Sequence, residues 1–158
     1  MGAEIQRAHI NATIRAFLPA DAAAVTEILR ESPQASNWTE ASVRESAGWR
    51  GMVSLVSESD GKVTGFISGR QVADQAEILN LAVSAAKRRE GEGGALLKAA
   101  MDELRARQVS CVFLEVRESN EAAIAFYTKH GFSERDCRLN YYHDPEEAAI
   151  VMEMKLGD

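Results

Sequence analysis

The sequence predicts a mixed α/β (α+β) domain in which antiparallel hairpins precede a single βαβ unit. Three observations carry that prediction. The runs "MVSLVSES" and "KVTGFISGRQV" flank Asp60-Gly61, the residue pair favoured in two-residue hairpin turns. The strand-like run "AEILNLAV" (76–83) leads through a basic, glycine-containing loop into an amphipathic helix and then another strand, "SCVFLEV". Two further strand-like segments, near 132–141 and 148–156, close the chain. The order is therefore β-α-α-β-β-β-α-β-α-β-β, a sheet with helices on its faces.

Each element has a local reason. Residues 1–10 read as a loose end. In "ATIRAFL" (12–18), Ile14 and Phe17 mark a short strand. Pro19 and Asp21 open a helix with Val25, Ile28 and Leu29 on its core face, and Pro33 ends it. "SPQASNW" reads as a loop, after which Thr39 caps a helix over about 40–48. A helix over about 94–107 places Leu96, Leu97, Ala100, Met101 and Leu104 at helical spacing. Asn120 caps a last helix running to His130, and Gly131 supplies its stop.

The composition narrows the functional classes. A chain of 158 residues suits one domain, 1–158, and is long enough to bury a core without disulfides or a structural metal. The net charge of −6 argues against nucleic-acid binding and suits a basic partner. No apolar run reaches the ~20 residues of a membrane span. The N-terminal residues lack the apolar core of a secretory signal, so a cytoplasmic protein is the expectation. Cys111 and Cys137 form no CxxC pair and the three histidines are scattered, so neither a disulfide nor a metal site is expected.

The stretch "VSAAKRREGEGGALL" (83–97) carries the strongest chemical signal. A strand ends, Lys87, Arg88 and Arg89 follow, and Gly91, Gly93 and Gly94 lead into a helix. Glycines let backbone N–H groups approach an anion closely. A helix N-terminus adds unpaired donors and partial positive charge, and arginines offer planar forks to phosphate oxygens. The loop thus reads as a pyrophosphate cradle. No P-loop motif is present. A dinucleotide fingerprint fails because Leu96 stands at its third glycine and seven residues separate Val83 from Gly91. Glu115 is the second signal, a carboxylate within the apolar strand "CVFLEV". Its residues alone leave two readings open, a solvated pair with Arg117 or a functional acid.

Arg88-x-x-Gly91-x-Gly93 after "LNLAV" resembles the acyl-CoA signature of the Gcn5-related N-acetyltransferases (GNATs). The resemblance runs from about residue 12 to the C-terminus. "NWTEAS" (37–42), "LEVRESNEAAIAFYTKHGF" and "RLNYY" make the chain similar to the RimI-type ribosomal-protein-alanine N-acetyltransferases. The resemblance implies a GNAT fold with splayed central strands and acetyl-CoA as cosubstrate. Its pantetheine arm would lie along the backbone of Leu81, Ala82 and Val83. Its pyrophosphate would lie on Arg88, Arg89, Glu90, Gly91, Glu92, Gly93 and Gly94, with a further contact at Asn120. Glu92 departs from the neutral or apolar residue often found there, and is expected to face solvent. Glu115 is implied as general base and Tyr127 as general acid, with Glu77 as reserve base. Trp38, Tyr141 and Tyr142 are implied walls of a peptide groove, the two tyrosines pointing to opposite faces. The implied substrate is the N-terminal alanine of a small-subunit ribosomal protein. The alternatives are acetylation of a small amine or a lysine side chain, and a non-catalytic acyl-CoA-binding domain.

Overall fold

The computed structural model describes residues 12–32, 38–88 and 90–157. Seven strands form one sheet: β1 (Thr13–Ala16), β2 (Met52–Ser59), β3 (Lys62–Val72), β4 (Gln75–Val83), β5 (Cys111–Arg117), β6 (Ser133–Tyr142) and β7 (Glu147–Lys155). Among the described residues, four α-helices accompany them: α1 (Ala22–Arg30), α2 (Glu40–Ser46), α3 (Glu92–Ala106) and α4 (Glu121–Lys129). The spatial order is β1-β2-β3-β4-β5-β7-β6. Neighbours are antiparallel except β4 and β5, which the α3 crossover makes parallel.

The sheet is covered on both sides, and strand alternation sorts the residues. On one face, Leu96, Leu97, Ala100, Met101 and Leu104 of α3 pack on Val53, Ile67, Ile78, Val112, Leu114 and Met152. Helix α4 joins this side through Ile124, Phe126 and Tyr127. On the other face, Val25, Ile28 and Leu29 of α1 and Val43 of α2 pack on Phe17, Val56, Phe66 and Ala82. Consecutive residues Phe66 and Ile67 thus serve opposite cores, as period-two alternation requires.

The local signals behave as read. Asp60 and Gly61 both take positive φ, 52° and 75°, the geometry of a hairpin turn whose twist matches its strands. Thr39 accepts a hydrogen bond from the Ser42 N–H, and Asn120 from the Ala123 N–H, so both cap their helices. Gly131 follows α4 at φ 101°, where a side chain would be strained. The expected loose end and most of the "SPQASNW" loop lie outside the described residues.

The opening that matters for function lies between β4 and β5. Their pairing covers Gln75–Cys111, Ala76–Val112 and Glu77–Phe113. Beyond it, Leu81, Ala82 and Val83 remain paired to β3, while Glu115, Val116 and Arg117 remain paired to β7. The two strands therefore part, leaving one edge of each facing a gap. A bulge explains the parting. Ser68 pairs with Asn80 and Gly69 with Ile78, so Leu79 is an extra residue in β4 and bends the strand. Gly69 permits the close approach, since a Cβ there would stand 3.1 Å from the Glu77 carbonyl oxygen.

Candidate active site

The glycine loop folds as a cradle. Gly91 takes φ 89° and caps α3, which starts at Glu92, two residues before the sequence expectation. The first N–H groups of α3 open onto a cavity of about 870 Å³. Its walls include Val83, Gly93, Leu97, Met101 and Phe126, and Lys87, Lys98, Arg105 and Lys129 add positive charge around them. Backbone donors, apolar walls and lysines together fit a ligand with a pyrophosphate and a long flexible arm, as acetyl-CoA has. Gly93 provides a direct test of the cradle. An added Cβ would meet Phe126 at 3.6 Å, an ordinary contact, yet would occupy the cavity wall. Gly93→Ala is expected to stay folded and to weaken CoA binding at least several-fold by calorimetry. Unchanged affinity would remove the glycine from the site.

One expectation for this loop, the solvent-facing Glu92, is corrected, and Arg88 is engaged within the fold. Its guanidinium donates to the Val83 carbonyl (3.2 Å), the Glu31 carbonyl (2.9 Å) and Ser32 Oγ (3.3 Å). It ties the loop to the end of α1, where it satisfies the Glu31 carbonyl. Glu31 reciprocates by accepting from the Ala85 N–H at 3.1 Å. Glu92 does not face solvent. It is 3 % exposed and turns inward, because Ser57 and Thr64 present hydroxyls to it. Glu90 is exposed beside the cavity, and Arg89 lies outside the described residues. Asn120 uses its Oδ1 to cap α4, at 3.2 Å from the Ala123 nitrogen.

The sequence reading did not single out His130 as a site residue. Its ring stacks near Phe126, with centroids 4.5 Å apart, and covers the start of α3. A Cβ on Gly94 would stand 3.0 Å from the ring, so a side chain there would require the ring to shift. Burial, and then the Lys129 charge, pulls its pKa down. Only its place before Gly131 was visible in the sequence.

Tyr127 lies on the α3 side of the sheet. Its ring packs edge-on against Phe126 and Phe132, with centroids 5.2 and 5.5 Å away. Burial pushes its pKa up to about 12, so it is a phenol across the neutral range. Glu115 points to the opposite face, since its neighbours Leu114 and Val116 fill the α3-side core. The two residues therefore lie toward opposite faces of the sheet.

Glu115 is not paired with Arg117. Arg117 reaches Glu147 at 3.3 Å and lies 4.3 Å from the Tyr142 ring centroid. Glu115 instead accepts from Tyr141 Oη at 3.0 Å and from Arg138 at 3.3 Å, both from β6. Its side chain is 20 % exposed, so solvent and a ligand can reach it. Glu77 joins it across the mouth of the gap. Burial first, and then the nearby Glu115 carboxylate, raises the Glu77 pKa. Together they make an acidic mouth suited to a cationic amine.

Arg70 stands opposite Glu77 on β3 and lies 5.6 Å from the Trp49 ring centroid. Trp49 in turn meets Trp38, with centroids 5.9 Å apart. The two tyrosines do not diverge as expected: their rings meet edge-on at 5.1 Å. Asn140 takes φ 55° and the β6–β7 register shifts between Arg138 and Tyr142, so alternation breaks there. Among the described residues, no cluster of three or more potential metal ligands occurs, and no helix is long and apolar enough to cross a membrane.

Known proteins share this fold. The profile of the acetyltransferase (GNAT) family matches residues 22–132. The chain is 37% identical over 131 residues to the [ribosomal protein bS18]-alanine N-acetyltransferase of Escherichia coli K12, covering 82% of this chain and 88% of that one. The crystal structure of the Escherichia coli ribosomal-protein-S18-alanine N-acetyltransferase superposes with a TM-score of 0.84 at 35% identity, covering 93% and 95% of the two chains. Ard1 from Thermoplasma volcanium gives 0.84 at 34%, covering 94% and 100%. A Salmonella typhimurium acetyltransferase solved with acetyl-CoA shares the fold, with a TM-score of 0.81 at 24% identity, covering 94% and 96%. With its cradle, its splayed strands and these relatives, the chain belongs to the GNAT family and is an acetyl-CoA-dependent N-acetyltransferase of RimI type.

Proposed function

We propose that this enzyme acetylates the α-amino group of a protein N-terminus, the N-terminal alanine of a bS18-type ribosomal protein. Glu115 serves as general base and Tyr127 as general acid. What supports this reading is that Glu115 lies on the part of β5 that has parted from β4 and points to the sheet face opposite the α3-side cluster against which Tyr127 packs. An amine arriving on one face then attacks while the sulfur departs toward the other.

Acetyl-CoA, when bound, supplies a thioester carbonyl as the acyl donor. The chain's residues do the rest. The acidic mouth at Glu77 and Glu115 attracts the ammonium, whose pKa is ~8. Glu115 accepts the proton that must leave before the nitrogen can attack, directly or through a water. Backbone N–H groups of Leu81–Val83 on the open edge of β4 donate to the carbonyl oxygen as it gains charge. The Tyr127 hydroxyl gives its proton to the departing sulfur. One C–N bond forms, one C–S bond breaks, and no covalent enzyme intermediate is needed. Arg138 and Tyr141 hold Glu115 beforehand, and the amine replaces part of that contact. Trp38, Tyr141 and Tyr142 border the path of the peptide, and the net charge of −6 suits a basic ribosomal protein.

Release of CoA from acetyl-CoA in the presence of short peptides starting with Ala, Ser or Met tests the substrate. The Ala-starting peptide is expected to be turned over fastest. No release with any of the three would sink the assignment.

A further inference from the structure

Glu92 has no part in the acetyl-transfer steps, yet it is a buried acid in the first turn of the helix that forms the cradle. It is 3 % exposed. Its Oε1 accepts from Ser57 Oγ at 2.9 Å and from Thr64 Oγ1 at 2.5 Å. The two hydroxyls lie 3.2 Å apart and are themselves buried, at 0 % and 6 % exposure. They come from β2 and β3, on either side of the Asp60-Gly61 turn. Thr64 also accepts, through its carbonyl, from the Ser84 N–H at 2.8 Å, so the same residue holds the end of β4. The packing leaves no slack. A Cβ on Gly65 would stand 2.5 Å from Ser57 Oγ and 2.8 Å from Leu96 Cδ1.

We propose that Glu92 is a positioning residue for the cofactor, a tether from the β2–β3 hairpin that fixes the start of α3 so that its backbone donors meet the pyrophosphate. The proposal rests on the cradle assignment above. Its physical basis is the location of the tether. Gly91 takes φ 89° immediately before Glu92, and glycines follow at 93 and 94. Such a segment is intrinsically loose, because glycine restrains its own backbone poorly. Between those glycines, Glu92 is the one residue whose side chain can anchor the turn to the sheet. Donors to an anion are effective only when already held in place.

The sign of the effect separates this role from a purely electrostatic one. A negative charge near an anion site opposes binding, so deleting the charge alone would strengthen it. Weaker binding after deletion therefore reports lost geometry. Glu92→Gln removes the charge and keeps the Oε1 acceptor for both hydroxyls. Glu92→Ala removes both.

The test measures the Kd for CoA by calorimetry and the KM for acetyl-CoA and kcat by CoA release, on full-length protein. Glu92→Ala is expected to raise both Kd and KM about tenfold or more, with kcat at saturation within threefold of the parent. Glu92→Gln is expected to stay within threefold on every parameter. The double variant Ser57→Ala, Thr64→Val cuts the tether from the other end and should reproduce the rise in Kd. It also serves if Glu92→Ala does not fold. Kd within twofold of the parent for a folded Glu92→Ala, or for the double variant in its stead, overturns the tether. So does an equal loss in the Gln and Ala variants. Gly93→Ala, measured alongside, separates the two levels. If it weakens CoA binding while the tether variants do not, the cradle stands and the tether falls. If it has no effect, the cradle assignment and the proposal resting on it fall together.

Discussion

Glu115→Gln is expected to lower kcat/KM for an Ala-starting peptide by about 10²–10⁴-fold at neutral pH, the usual worth of a positioned general base. CoA affinity should be unchanged, because Glu115 lies on the face away from the cradle. The substitution preserves shape, and the Gln oxygen can still accept from one of Tyr141 and Arg138, which now donate to different oxygens of the carboxylate at 3.0 and 3.3 Å. What is lost is the ability to take a proton. The comparison that sharpens this is Arg117→Ala. Arg117 is engaged with Glu147 and Tyr142 rather than with Glu115, so its loss should change kcat/KM by less than a few-fold. A large loss from Arg117→Ala with little from Glu115→Gln would return Glu115 to the surface-pair reading. Glu77→Gln forms the third arm. If it is the variant that abolishes turnover, the base sits on β4 and not on β5.

Tyr127→Phe is expected to lower kcat by about 10²-fold or more, with the KM for the peptide little changed, since a general acid acts in the transition state. The ring is held by Phe126 and Phe132, so the variant keeps its packing and should keep its stability. The pH profile distinguishes a proton donor from a packing residue. Burial raises the Tyr127 pKa to about 12. A raised phenol pKa extends the protonated form upward, so Tyr127 remains a donor throughout the range where an α-amine with pKa ~8 loses its proton. The parent should therefore show no alkaline fall from Tyr127 below about pH 10. Tyr127→Phe should give a lower profile of the same shape. Equal kcat in parent and variant would remove the acid role.

Much of the fold was legible in the sequence because its signals are local. The Asp60-Gly61 turn, the Thr39 and Asn120 caps and the Gly131 stop each depend on residues within a few positions, and each occurs as read. The parting of β4 from β5 followed from family resemblance, while its cause, the extra Leu79, has no local signature. The site was legible as motifs and not as contacts. Glu92 was expected in solvent because its partners lie 35 and 28 residues upstream, across two strands. The contact of Arg88 with the Glu31 carbonyl just after α1 had no sequence signature, because the two residues are 57 positions apart. Tyr141 and Tyr142 were expected to diverge because alternation assumes a regular strand, and Asn140 at φ 55° breaks it. The Arg138–Glu115 pair also spans the sheet. Motifs indicate which groups a site needs. Which partner each group takes is decided by the sheet register.

The central claim, transfer to an α-amine, is tested most directly by one peptide that carries both possible acceptors: a free N-terminal alanine and an internal lysine. After incubation with acetyl-CoA, tandem mass spectrometry locates the acetyl group. A single acetyl on the alanine nitrogen, absent from a Glu115→Gln reaction stopped at the same time, is the predicted result. Acetyl on the lysine side chain with the α-amine left free would contradict it.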